Sequence, residues 1–169
     1  MTGDAAARQP ALTIVSGGQT GVDQGALDAA LDRGVSCGGW CPERRRSETG
    51  MIPARYPVHE LAGSGYSERT RQNVVDSDGT AIIFEAALEG GTRLTAEYCE
   101  KEGKPHVLID AATLSQAESV DVLGSFIRDY DIEVLNVAGP RASKWRGAHA
   151  YAHRLLTELL AKPRTAMRD

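Results

Sequence analysis

Thr13-Ile14-Val15-Ser16-Gly17-Gly18-Gln19-Thr20-Gly21-Val22-Asp23 passes from an apolar, β-branched run through three glycines into a helical period. Glycines let a backbone turn tightly and approach a ligand without a Cβ in the way. The first N–H groups of a helix have no intrahelical partner and lie at the positive end of its dipole, so phosphates and similar oxyanions bind there. Thr20 and Asp23 have capping-box spacing, with Asp in the usual Glu place. The stretch is neither a P-loop, lacking the Lys-Ser/Thr pair, nor a G-x-G-x-x-G turn. Its spacing predicts a strand, a ligand loop and a capped helix start.

Outward from this junction, short β-branched runs alternate with helical periods. Strands are predicted over 12–16, 35–38, 80–84, 106–109 and 133–138, and helices over 23–33, 67–76, 91–102, 114–130 and 143–161. In the first helix Leu27, Ala30 and Leu31 should point inward. The alternation predicts an α/β fold of three layers, with right-handed crossovers and a mostly parallel sheet. Residues 40–65, with Pro42, Pro53 and Pro57, read as a long irregular stretch, a lid or a subunit contact rather than a plain connection. The predicted domain is 12–161, with flexible ends at 1–11 and 162–169.

Ligands of open α/β sheets sit beyond the carboxyl ends of the strands. Three such ends carry polar, glycine-bearing turns: residues 16–21, Glu89-Gly90-Gly91-Thr92, and Asn136-Val137-Ala138-Gly139-Pro140-Arg141. The second repeats the physics of the first, so the pair suggests two anionic groups, or one anion and a polar ring. Arg44-Arg45-Arg46 beside Trp40 could lie over such a ligand. Arg69 and Asn73 share a helix face, and Glu97 could serve as a base near a sugar.

A net charge of −4 argues against non-specific binding to nucleic acid. No apolar run reaches about 20 residues, so no membrane span is expected. Residues 1–11 lack the apolar segment of a signal peptide. Three cysteines, an odd number, fit a reducing cytoplasm. Cys37 and Cys41 lack two further metal ligands, and His149 and His153 lack an intervening Glu, so no protein-ligated metal is expected and the histidine pair reads as a solvated helix face.

Taken together, several segments resemble one family. They are Ser16-Gly17-Gly18-Gln19-Thr20-Gly21-Val22-Asp23, Gly38-Gly39-Trp40-Cys41-Pro42, Ile52-Pro53 with Tyr56-Pro57, Arg69-Thr70 with Asn73 and Ser77-Asp78, Gly90-Gly91-Thr92, and Leu135-Asn136-Val137-Ala138-Gly139-Pro140-Arg141. The chain resembles the "putative molybdenum carrier" family, grouped with the lysine-decarboxylase-like (LOG) and DNA-processing Rossmann-type proteins. The resemblance implies a Rossmann-like sheet, homo-oligomers (dimers or tetramers) and a phosphate-bearing ligand, which in algal relatives is molybdenum cofactor.

The expectation is a binding or carrier protein for a phosphorylated nucleotide-like or pterin-like small molecule, with molybdenum cofactor or a nucleotide as ligand. Gly17, Gly18, Gln19, Thr20 and Gly21 would cradle one phosphate, and Gly90, Gly91 and Thr92 another anionic group. Arg69 would neutralise charge, and Asn73 and Asp78 would orient polar groups. Asn136, Gly139 and Arg141 complete the predicted site.

LOG enzymes, which cleave nucleoside monophosphates, carry Arg-Lys followed by Pro-Gly-Gly-x-Gly-Thr-x-x-Glu. By that resemblance Arg69 and Glu97 would be catalytic in a glycosidase alternative. Here, however, Thr70 replaces the Lys, Glu89 the Pro, and Arg93-Leu94 the Gly-Thr. A third alternative is an oligomeric, ligand-sensing regulatory protein.

Overall fold

The computed structural model describes residues 11–163. The predicted flexible segments 1–11 and 162–169 lie outside it, except for residues 11, 162 and 163. The chain runs β1 (Thr13–Val15), α1 (Val22–Asp32), β2 (Cys37–Gly38), β3 (Trp40–Cys41), a short 3-10 turn (Glu43–Arg45), β4 (Arg46–Ser47), β5 (Gly50–Met51), β6 (His59–Glu60) and α2 (Tyr66–Val75). It continues through β7 (Gly79–Phe84), α3 (Gly90–Lys101), β8 (His106–Asp110), α4 (Gln116–Asp129), β9 (Val134–Ala138) and α5 (Ala148–Ala161).

Five strands form one parallel sheet in the order β2-β1-β9-β7-β8. β7 is buried along its whole length, as a strand covered on both faces must be, which is why its sequence is almost continuously apolar. Right-handed crossovers put β1→β2 and β8→β9 on one face, and β2→β7 and β7→β8 on the other. The helix packing agrees: α5 lies against α1 and α4, and α2 lies against α3. This is the expected three-layer, Rossmann-like α/β arrangement.

The main core joins Ile14, Ala81, Ile83, Leu135 and Val137 of the sheet to Val22, Ala26, Leu123, Leu155 and Leu156 of the helices. Leu27 and Ala30 point inward as expected, but Leu31 is 40% exposed. Leu27 serves a second, smaller core with Cys41, Ile52, Tyr56 and Val58.

That small core organises the long stretch after β2. Two two-stranded pieces, β3 with β6 and β4 with β5, punctuate it. Its centre is Arg45, whose guanidinium donates to the carbonyls of Ile52, Pro53, Tyr56 and Val58. The arginine expected over an anion therefore holds its own loop together. Its donors are spent on carbonyls that a stretch without long strands leaves unpaired.

Candidate functional site

The chain leaves β1 and β7 toward opposite faces of the sheet, and β9 lies between them. This is the switch point where open α/β sheets form a crevice. A cavity of about 430 Å³ opens there, within the range of small-molecule sites. One wall is Gln19 and Asp23 after β1, another is Ala138, Gly139, Pro140 and Arg141 after β9 with Lys144 and Trp145, and a third is Glu85 and Glu89 to Thr92 after β7. Tyr66, Arg69 and Thr70 of α2 close it.

The two glycine junctions differ sharply. At the β1–α1 loop the chain fills its own turn. A Cβ on Gly17 would collide with the Arg69 guanidinium, one on Gly18 would meet Ile52 and Val58, and one on Gly21 would collide with the Pro140 carbonyl. The Asp23 carboxylate accepts from the Gln19 N–H at 3.2 Å and lies 3.5 Å from Arg69 Nη1. Burial raises the Asp23 carboxyl above the ordinary carboxylate value, against the pull of Arg69 and the loop N–H groups. Thr20 does not cap α1: its hydroxyl donates to Glu48 and accepts from the Ala142 N–H. The predicted capping box is thus replaced by Asp23 reaching back alone.

The β7–α3 junction is open. A Cβ on Gly90 or Gly91 would meet nothing within 4 Å among the described residues. Among the described residues no side chain caps α3, and its first turn holds no acid. Its leading N–H groups lack intrahelical partners, and the residues that carry them, Gly90, Gly91 and Thr92, line the cavity.

Between the junctions stands Arg69, its side chain only 14% exposed and its Nε buried without a hydrogen-bond partner among the described residues. A buried orphan donor is costly, and this one belongs to a side chain lining the cavity. Trp145 is a half-buried aromatic wall, braced by Tyr151 with ring centroids 5.4 Å apart.

Of the residues expected to bind ligand, Gln19, Arg69, Gly90, Gly91, Thr92, Gly139 and Arg141 line this cavity, and Gly17, Gly18, Thr20 and Gly21 do not. Asn73 is instead buried against β3, accepting from the Trp40 N–H at 2.8 Å and donating to its carbonyl at 2.9 Å. Asp78 lies before β7, at the amino end of the sheet, where it accepts from the N–H groups of Glu133 and Val134. Asn136 is buried within β9 and donates to Thr80. These three polar side chains tie strands and loops together, the two buried amides because a buried polar group must find a partner, and the exposed Asp78 by joining the starts of β7 and β9.

Glu97 is 57% exposed on α3, pairs with Arg93, and is not part of the cavity wall. Arg44 and Arg46 also lie outside that wall. His149 and His153 are not merely solvated: their Nε2 atoms lie 2.7 and 2.8 Å from Asp28 and Asp32 of α1. Sequence reasoning missed Asp23 as a cavity residue, along with Lys144 and Trp145. The one available signal was the nearness of Lys144 and Trp145 to the third crevice turn.

Among the described residues no group of three or more His, Cys, Asp or Glu is placed to hold a metal ion, and no helix is long and apolar enough to cross a membrane. The three cysteines are free, with burial pushing each thiol up.

A search of the curated proteins found no match. Among solved structures, the chain is similar to a crystal structure named putative molybdenum carrier protein, from Syntrophus aciditrophicus SB. The two share 40% sequence identity and superpose with a TM-score of 0.86, over 90% of this chain and 97% of that one. The model of the circularly permutated YpsA SLOG family matches residues 14–160. With that match running through all three walls of the crevice, the chain belongs to the circularly permutated YpsA SLOG family.

Proposed function

We propose that the chain binds and carries a phosphorylated, nucleotide-like or pterin-like small molecule in this crevice, with molybdenum cofactor as the candidate cargo. The observation that carries the reading is the uncapped amino end of α3 opening onto the cavity beside Arg69. The N–H groups of Gly90, Gly91 and Thr92 would receive the phosphate, with Arg69, Arg141 and Lys144 supplying positive charge around it. Trp145 offers an aromatic surface for a planar ring.

The name of the Syntrophus relative supports a carrier role, and the cavity volume suits a ligand of this size. The exposed position of Glu97 favours binding over glycosidic cleavage, which needs a carboxyl group within reach of the sugar.

Gly91→Glu tests this reading. The new side chain enters open space and brings negative charge to a helix amino end, so the fold is kept while an anion is repelled. Affinity for adenosine monophosphate, measured by calorimetry, should fall at least about tenfold, a loss of about 1.4 kcal/mol. Unchanged affinity in the folded variant would refute the assignment. Native mass spectrometry of freshly purified protein would identify the natural cargo.

A further inference from the structure

The β4–β5 hairpin carries one acidic side chain, Glu48, whose contacts all lie across the rim of the crevice. Its carboxylate accepts from the Thr20 hydroxyl after β1, and from both the N–H and the hydroxyl of Ser143 after β9. Arg141 Nε lies 3.3 Å from its second oxygen. The Glu48 N–H donates to Gln19 Oε1, which also accepts from the Thr20 N–H. One residue thereby joins three segments that are far apart in sequence. The Glu48 side chain is only 17% exposed. The hydrogen bonds from Ser143 and Thr20, with the Arg141 charge, hold its carboxyl below the usual range despite partial desolvation.

Arg141 is the element this arrangement shares with the site. A guanidinium has five N–H donors in a fixed fork. The ion pair draws the Nε side of the fork toward Glu48, and the outer donors make no hydrogen bond among the described residues, on a side chain that also lines the cavity. We infer that Glu48 is a positioning residue for anion binding: it clasps the hairpin over the crevice rim and holds Arg141 in the orientation that receives the ligand's phosphate. The second half of this inference rests on the phosphate reading above. The first half, the clasp, stands on the contacts alone.

The test compares wild type, Glu48→Gln, Arg141→Ala and the double variant, with adenosine monophosphate as probe. Glu48→Gln keeps the size of the side chain and removes its charge. Each single variant should weaken binding by about tenfold, and the double variant by no more than the worse single, because residues acting through one another are not additive. Full retention of affinity in Glu48→Gln, or a double variant weaker by the product of the two losses, would overturn the positioning role.

Hydrogen exchange of the amides of residues 46–51 is read in the same proteins without probe. The clasp predicts faster exchange in Glu48→Gln, and equal exchange overturns it. Ser143→Ala, which removes one donor to the carboxylate without altering the hairpin, should speed the same amides to a smaller degree. If wild type binds no probe while the exchange difference is present, the phosphate reading fails and the clasp holds.

Discussion

Two strand-to-helix junctions in this molecule carry the same sequence signature and put it to opposite uses. After β1, the glycines at 17, 18 and 21 admit parts of the chain itself: the Arg69 guanidinium, Ile52 with Val58, and the backbone of Pro140. After β7, Gly90 and Gly91 admit no part of the described residues, and among those residues no side chain caps the helix behind them. A glycine turn after a strand announces close approach, but not what approaches. In the first junction the Gln19 N–H already has an anion, the Asp23 carboxylate, and the Thr20 N–H is taken by the Gln19 side chain. In the second that place is open to the cavity.

Substitutions should separate the two junctions, and the largest effect belongs to the filled one. Asp23→Ala removes the partner of a largely buried guanidinium and the acceptor of the Gln19 N–H. It should destabilise the domain by about 4 kcal/mol, read from urea unfolding. A loss below about 1 kcal/mol would mean that the pair is solvated, as surface pairs are.

Gly21→Ala comes next. Its φ of +83° is strained for any Cβ, and the methyl would drive into the Pro140 carbonyl. About 3 kcal/mol should be lost, lowering Tm by roughly 6–12 °C. The opposite sign is expected at the open junction. Gly91→Ala adds a methyl to empty space in a helix and should stabilise by about 0.5 kcal/mol. If both changes destabilise equally, the contrast between the junctions is false.

A pH effect sharpens the account of what covers the filled junction. Tyr56, in the small core beside Ile52 and Val58, donates to Asp28 at 2.9 Å. Burial first, then Asp28, pushes its phenol up to about 12 from 10.0. A raised folded value gives stability that is fully present below the unfolded value and lost as pH rises toward the folded one. Wild type should therefore lose stability between about pH 10 and 12. Tyr56→Phe, without that proton, should show no such loss, and chemical denaturation at a series of pH values compares them. Parallel pH profiles for the two proteins would place this hydroxyl in water.

The sequence made the frame legible because helices and parallel strands declare themselves locally. Apolar runs such as 80–84 and the helical periods between them were enough for the layers and for the crevice at three strand ends. Boundaries moved where local chemistry was ambiguous. The final helix begins at Ala148 rather than 143, because residues 143–147 form turns, with the N–H groups of Lys144 and Trp145 bonded to the Arg141 carbonyl.

The site was half legible for a different reason. Whether the loop after β1 holds a ligand depends on Ile52, Arg69 and Pro140, which lie far from it in sequence. Asn73 and Asp78 were sensible polar candidates, but their partners, Trp40, Glu133 and Val134, come from other segments as well. Glu48 escaped a functional reading, and Arg45 was assigned to an anion rather than to the carbonyls of its own loop, because an irregular stretch gives no period from which to infer direction.

The central claim is that the open junction, and not the filled one, receives the anion. Amide chemical shifts of isotope-labelled protein titrated with adenosine monophosphate test it most directly. The account predicts large shifts at Gly90, Gly91 and Thr92, with Gly17, Gly18 and Gly21 nearly still. Shifts concentrated at Gly17, Gly18 and Gly21, with the amino end of α3 unmoved, would contradict it.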